Sequence, residues 1–173
     1  MINIIQIIIL VLVLMILHEV GHVIAAKILD LEVYQVGVCW KPYPHFFVAA
    51  EWPQTEKQRL IYLFSGSLVT VILFILASLF HFFYMRSLYH AFAIQLLIET
   101  NPFYSDFTIA AITKSKLNDP HQHQLTNSLY QDQLSTYLFS RKWYIHFIIW
   151  AILLILLIKY NHLFAQINSK QAQ

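Results

Sequence analysis

His18, Glu19 and His22 stand in the order His-Glu-Val-Gly-His within a long apolar run. On a helix, residues four apart share a face, so His18 and His22 can each offer a ring nitrogen to one metal ion. Glu19 stands beside that face and can reach a water on the metal, taking its proton during attack on a carbonyl and handing it to the departing amine. Zinc suits this task because it lowers the pKa of water bound to it to about 7. Ionisable side chains inside a membrane-length helix are costly, at about 3 kcal/mol for each charge at mid-membrane. That cost argues for chemistry over the plainer explanation, in which the three residues pair with one another or reach the interface.

A catalytic zinc takes three protein ligands and leaves its fourth position to water. The apolar runs downstream offer His81, His90, Glu99, Asp106 and His146. His81 and His90 flank the second turn at the outer side, some 20 Å from His22 at roughly 1.5 Å per helical residue, which reads as interfacial placement. His146 is within reach, but its neighbours carry no further motif, so it too reads as interfacial. Asp106 matches His18 and His22 in depth. The Asn101-Pro102 pair just before it must loosen its helix, because proline removes a backbone hydrogen bond and clashes with the preceding turn. Broken helices at membrane depth are tolerated where they line a cavity or are buried in protein. Glu99 lies about 10 Å farther toward the outside if the helix is regular. Outer-shell hydrogen bonding, substrate contact and ligation all remain open for it.

These residues need elements to carry them. Apolar residues make up 58% of the 173 and charged residues 12%, half the roughly 25% charged fraction of a soluble domain. The chain therefore reads as an all-α integral membrane protein, one domain over residues 1–173. About four spans are expected, at 2–29, 60–85, 88–113 and 143–160, each near the roughly 20 residues a bilayer takes. The first span lacks the basic flank and short apolar run of a signal peptide. Lys27, Lys41, Lys57 and Arg59 gather around the first loop, and Lys114, Lys116, Arg141 and Lys142 around the third, against Arg86 in the second loop and Lys159 and Lys170 in the tail. Positive charge collects on the cytoplasmic side, so both termini are expected outside and the site toward the cytoplasmic leaflet. A net charge of +2 without a basic run excludes a nucleic-acid partner. The single Cys39 allows no internal disulfide and reads as a small apolar filler.

The first loop is itself patterned. Residues 31–40 are rich in Val, Tyr and Trp, Lys41-Pro42-Tyr43-Pro44 reads as a turn, and residues 45–52 resume an extended apolar pattern. A short β-hairpin is expected there, with Pro42 and Pro44 arguing against a tight two-residue turn. Such a hairpin serves either to pair with an extended substrate by strand addition or to anchor the chain at the interface. In residues 115–140, Leu125, Leu129, Leu134 and Leu138 have nearly helical spacing. That segment is either an interfacial amphipathic helix or an irregular solvated loop.

His-Glu-Val-Gly-His in a first long span, a hairpin loop, Gly66-Ser67-Leu68-Val69-Thr70 in a second span and Asn101-Pro102-Phe103-Tyr104-Ser105-Asp106 in a third together resemble the site-2 protease family of intramembrane zinc metallopeptidases. The likeness runs from about residue 2 to residue 111. It implies a multi-pass protein of a bacterial cell membrane and assigns the third zinc ligand to Asp106, where the family carries Asn-x-x-Pro-x-x-x-Leu-Asp-Gly. Pro102 is one position closer to the Asp than in that pattern, and Ser105 and Phe107 replace its Leu and Gly. Ser67 and Thr70 replace the Pro and Asn of the family's Gly-Pro-Leu-x-Asn. These departures bear on substrate positioning, for which Gly66, Thr70, Asn101 and Glu99 are the candidates.

The expected function is an endopeptidase that hydrolyses peptide bonds of membrane-spanning or membrane-tethered proteins, with Glu19 as proton acceptor and Zn2+ held by His18, His22 and Asp106. By resemblance its uses are regulated cleavage of membrane-tethered factors or maturation of small signal peptides. Two rivals stand beside it: a non-catalytic metal-binding membrane protein, such as a transporter or an inactive relative, and a membrane zincin of another family using Glu99 as third ligand.

Overall fold

A computed structural model describes residues 4–39, 45–80, 82, 85–103, 105–114 and 137–171. Helix α1 (Ile4–Ile28) leads into an antiparallel hairpin of β1 (Val33–Cys39) and β2 (His45–Ala50), followed by α2 (Glu56–Leu79), α3 (Arg86–Glu99), α4 (Asp106–Lys114) and α5 (Arg141–Gln171). The expected turn at Lys41–Pro44, His81, and Leu125, Leu129 and Leu134 all lie outside the described residues.

Among the described residues, two helices, α1 and α2, are long and apolar enough to cross a membrane. This corrects the expectation of four spans. The third expected span is two helices, of 14 and 9 residues, which at about 1.5 Å per residue fall well short of a hydrocarbon core of roughly 30 Å. Proline 102 and the residues around it do more than loosen one helix: they end it at Glu99 and start another at Asp106. The fourth expected span, 143–160, falls in α5, part of whose side chains lie outside the described residues, and it is not one of the two.

Helix α1 is built inside out relative to a soluble helix. Ile5, Ile9, Leu12, Ile16 and Val20 are exposed, while His18, Gly21, His22, Ala25 and Ala26 are buried. Apolar side chains outward and polar ones inward is the arrangement that lipid favours and water does not. The helix ends with Asp30 in the left-handed region (φ 55°); Leu31 N–H donates to Ala26 O and Asp30 N–H to Lys27 O, a Schellman closure. That turn sends the chain into β1, whose register with β2 pairs Val36 with Val48 and Cys39 with His45.

Helix α2 starts from a capping box, with Gln58 N–H donating to Thr55 Oγ1 and Thr55 N–H to Gln58 Oε1. It crosses α1 at close range because two of the chain's three glycines meet there: a Cβ on Gly21 would stand 2.7 Å from Ser65 O and 3.0 Å from Gly66 Cα. Small residues let helix backbones approach this way in membranes. Leu14 packs with Ala77, Ala91 and Phe92 at one end of α1, and Ala25 and Ala26 with Tyr62, Leu63 and Ala110 at the other. His18 and His22 lie between these two apolar clusters.

Candidate metal centre

His18 and His22, one turn apart on α1, turn their rings into the space between α2 and the break that separates α3 from α4. Each ring has one nitrogen committed to a partner that fixes its tautomer. His22 Nδ1–H donates to Tyr62 O at 2.9 Å, with Ser65 Oγ 3.2 Å away. A carbonyl only accepts, so His22 Nε2 carries the lone pair. His18 Nδ1 lies 2.9 Å from Glu99 Oε1. That carboxylate oxygen also accepts from Thr70 Oγ1 at 2.5 Å and from Gln95 Nε2 at 2.8 Å. Ringed by donors, Glu99 acts as an ionised acceptor, so His18 Nδ1 carries the proton and its Nε2 is the free lone pair.

The two lone pairs converge on a third acceptor. His18 Nε2 and His22 Nε2 are 3.2 Å apart, and Asp106 Oδ2 stands 3.0 Å from the first and 3.3 Å from the second. Ligands about 2.0–2.1 Å from a tetrahedral ion stand about 3.3 Å from one another. The triangle thus has the dimensions of one face of a zinc tetrahedron. Three acceptors so close repel each other unless a cation or protons lie among them; His18 and His22 are buried and Asp106 is half-buried. Among the described residues this trio alone forms a group of three or more His, Cys, Asp or Glu that could hold a metal ion.

The elements behind Asp106 are local in origin. Asn101 Oδ1 accepts from Phe103 N–H, and Asn101 O accepts from Ser105 Oγ and Thr108 Oγ1. Ser105 Oγ in turn accepts from Thr108 N–H at 3.2 Å, acting as the N-cap of α4. Asp106 is therefore the first residue of that helix, where the helix dipole favours a carboxylate.

A cavity of about 920 Å3 opens onto the trio. Glu19 and Asn101 line it together with His18, His22, Glu99 and Asp106, and Phe46, Phe47 and Val48 of β2 form part of its wall. No family model, no curated protein and no solved structure matches this chain.

The sequence-derived candidates fall into distinct places. Glu99 does not join the trio. It meets the opposite edge of the His18 ring, so the 10 Å separation from Asp106 expected of a regular helix is corrected by the break, which lets both carboxylates touch one imidazole. Gly66 and Thr70 lie outside the cavity lining. A Cβ on Gly66 would stand 2.5 Å from His18 Nε2, so its bare backbone makes room for that ring, while Thr70 holds Glu99. His90 Nδ1–H donates to Arg86 O in its own helix. His146 Nε2–H donates to Thr100 O at 2.9 Å and Nδ1 accepts from Tyr137 Oη. It is thereby tied to the α3–α4 break.

Gln95, Gly21 and Ser105 escaped the sequence reading as parts of the site. Gln95 carried a signal, being a polar residue one turn before Glu99 in an apolar run. Ser105 was also legible as a cap three residues ahead of Thr108. Gly21 stands inside the motif, but its role depends on the facing backbone of α2.

Proposed function

We propose that the chain is a membrane-embedded zinc metallopeptidase of the site-2 protease kind, acting on membrane-spanning or membrane-tethered proteins. The observation that carries this reading is the triangle of three acceptors, two imidazole and one carboxylate, with a fourth direction open to a cavity that also holds Glu19. The donor set suits zinc, which accepts His nitrogen and carboxylate oxygen and keeps an open position in catalytic sites. Zinc bound here supplies Lewis acidity, which makes water a nucleophile near neutral pH and polarises a peptide carbonyl.

The chain's own groups do the rest. Asp106 and the two Nε2 atoms would hold the ion. Glu99 keeps the His18 proton on Nδ1 and makes that imidazole a better donor, as a carboxylate–histidine pair does. Glu19 takes the proton from the attacking water and returns it to the leaving nitrogen. The aromatic side chains of β2, with Trp52 and Ile98, give the cavity an apolar wall suited to a segment drawn from lipid. The N-terminus lies outside and the hairpin at the cytoplasmic face of a bacterial cell membrane, as the charges at Lys27, Lys41, Lys57 and Arg59 favour.

The deciding experiment measures zinc content and cleavage of a panel of membrane-tethered peptides by purified protein, with Glu19→Gln alongside. The variant is expected to retain zinc and lose cleavage by a factor of about 100 or more, the scale of a general base. A chain that binds zinc but cuts nothing would be the non-catalytic metal-binding protein. A Glu19→Gln variant of full activity would end the protease reading.

A further inference from the structure

Residues 100–103 and 105 interrupt the helical run between α3 and α4, and the carbonyls freed where α3 stops need other donors. Some come from the break itself, as Ser105 and Thr108 do for Asn101 O. Three come from α5. Trp143 Nε1–H donates to Pro102 O at 3.2 Å, His146 Nε2–H to Thr100 O at 2.9 Å, and Trp150 Nε1–H to Leu97 O at 3.0 Å. Positions 143, 146 and 150 follow one helical stripe, and all three donors are ring N–H groups, rigid and short of alternatives. Tyr137 Oη completes the set by donating to His146 Nδ1, which holds the proton on Nε2.

We propose that α5 is a clamp whose ring donors Trp143, His146 and Trp150 position Asp106 for metal binding by holding the carbonyls of the α3–α4 break. None of the three touches the metal trio; they act through the backbone, because the break determines where α4 begins and Asp106 is its first residue. Trp143 is further fixed by stacking on Phe147 (centroids 5.1 Å apart) and by an edge contact with Phe103 (5.7 Å). The clamp rests on the metallopeptidase reading for its metal readout, and on nothing but the hydrogen bonds for its backbone readout.

The test takes the full chain in detergent and follows Co2+ affinity, the Co2+ visible spectrum and amide hydrogen exchange at Ser105, Asp106 and Phe107. Trp143→Phe and His146→Phe keep a ring and delete the donor; His146→Gln keeps a donor near Nε2. The two Phe variants are expected to bind Co2+ about 10-fold more weakly, with an altered spectrum, at the low end of the effect of outer-shell losses. Their amides at 105–107 should exchange at least about fivefold faster, as the loss of one partner of a buried polar group implies. His146→Gln should restore both, and Ile148→Ala, on the exposed side of α5, should change neither. Wild-type affinity and exchange in both Phe variants would overturn the clamp, as would a His146→Gln that behaves like His146→Phe. Should wild type bind no Co2+, the metallopeptidase reading fails while exchange alone still decides the clamp.

Discussion

A methyl group on residue 66 would stand 2.5 Å from His18 Nε2 and 2.6 Å from its Cε1. That ring is held at one end by Glu99 and at the other faces His22 and Asp106, so it cannot swing aside without leaving the trio. Gly66→Ala is therefore expected to lower zinc affinity by at least about 100-fold, the upper range for losses around a ligand; full zinc occupancy of the purified variant would show that the ring has room. Two carboxylates on one imidazole make a sharper pair of expectations. Asp106→Ala removes one acceptor of the trio and is expected to leave the protein without zinc. Glu99→Ala should keep zinc at about 10- to 100-fold lower affinity, since it removes the group that orients His18. Titration of both against a competing chelator measures the difference, and the reverse order would hand the ligand role to Glu99.

Elements bring these residues together, and they were legible to different degrees. Helix α1 and the hairpin could be read directly, the first from a long apolar run around three ionisable residues and the second from two extended stretches around Lys41–Pro44. The third span could be read only in part. Pro102 announces a disturbance, but whether a helix bends or stops depends on what satisfies the freed carbonyls, and the donors to Thr100 O and Pro102 O sit on α5, more than 40 residues away in the chain. Local sequence carries no trace of that pairing, so the placement of Glu99 against His18 could not be foreseen. The α1–α2 crossing was hidden for the same reason, since a glycine shows its purpose only when the facing backbone is known. Gly21→Ala should separate the two helices and destabilise the protein by about 1–3 kcal/mol, the usual cost of overpacking. Thermal unfolding followed by circular dichroism in detergent gives the shift, and an unchanged midpoint would mean that the crossing is looser than Gly21 and Ser65 indicate.

For the molecule as a whole, any ion that binds the folded trio and not the unfolded chain must stabilise the fold. Zinc at 100 times its dissociation constant should add about 2.7 kcal/mol, seen as a higher midpoint that a chelator reverses and that Asp106→Ala lacks. Orientation is open to a separate measurement in a Cys39→Ala background. Glu56→Cys, beside the hairpin, is expected to be labelled from the cytoplasmic side alone and Arg86→Cys from the opposite side alone; labelling of Glu56→Cys from outside would place the cavity mouth at the other leaflet.

The contact between His18 and Asp106 joins residues 88 positions apart. At the roughly 5–20 residues per second of protein synthesis, the two histidines leave the ribosome about 4 to 18 seconds before the carboxylate that completes their triangle. For most of that interval the nascent first helix carries its histidines without Glu99, for all of it without Asp106, and α5 follows later still. Assembly is thereby ordered in time: the half of the chain that carries the two histidines is made first, and the trio stays incomplete until the other half arrives.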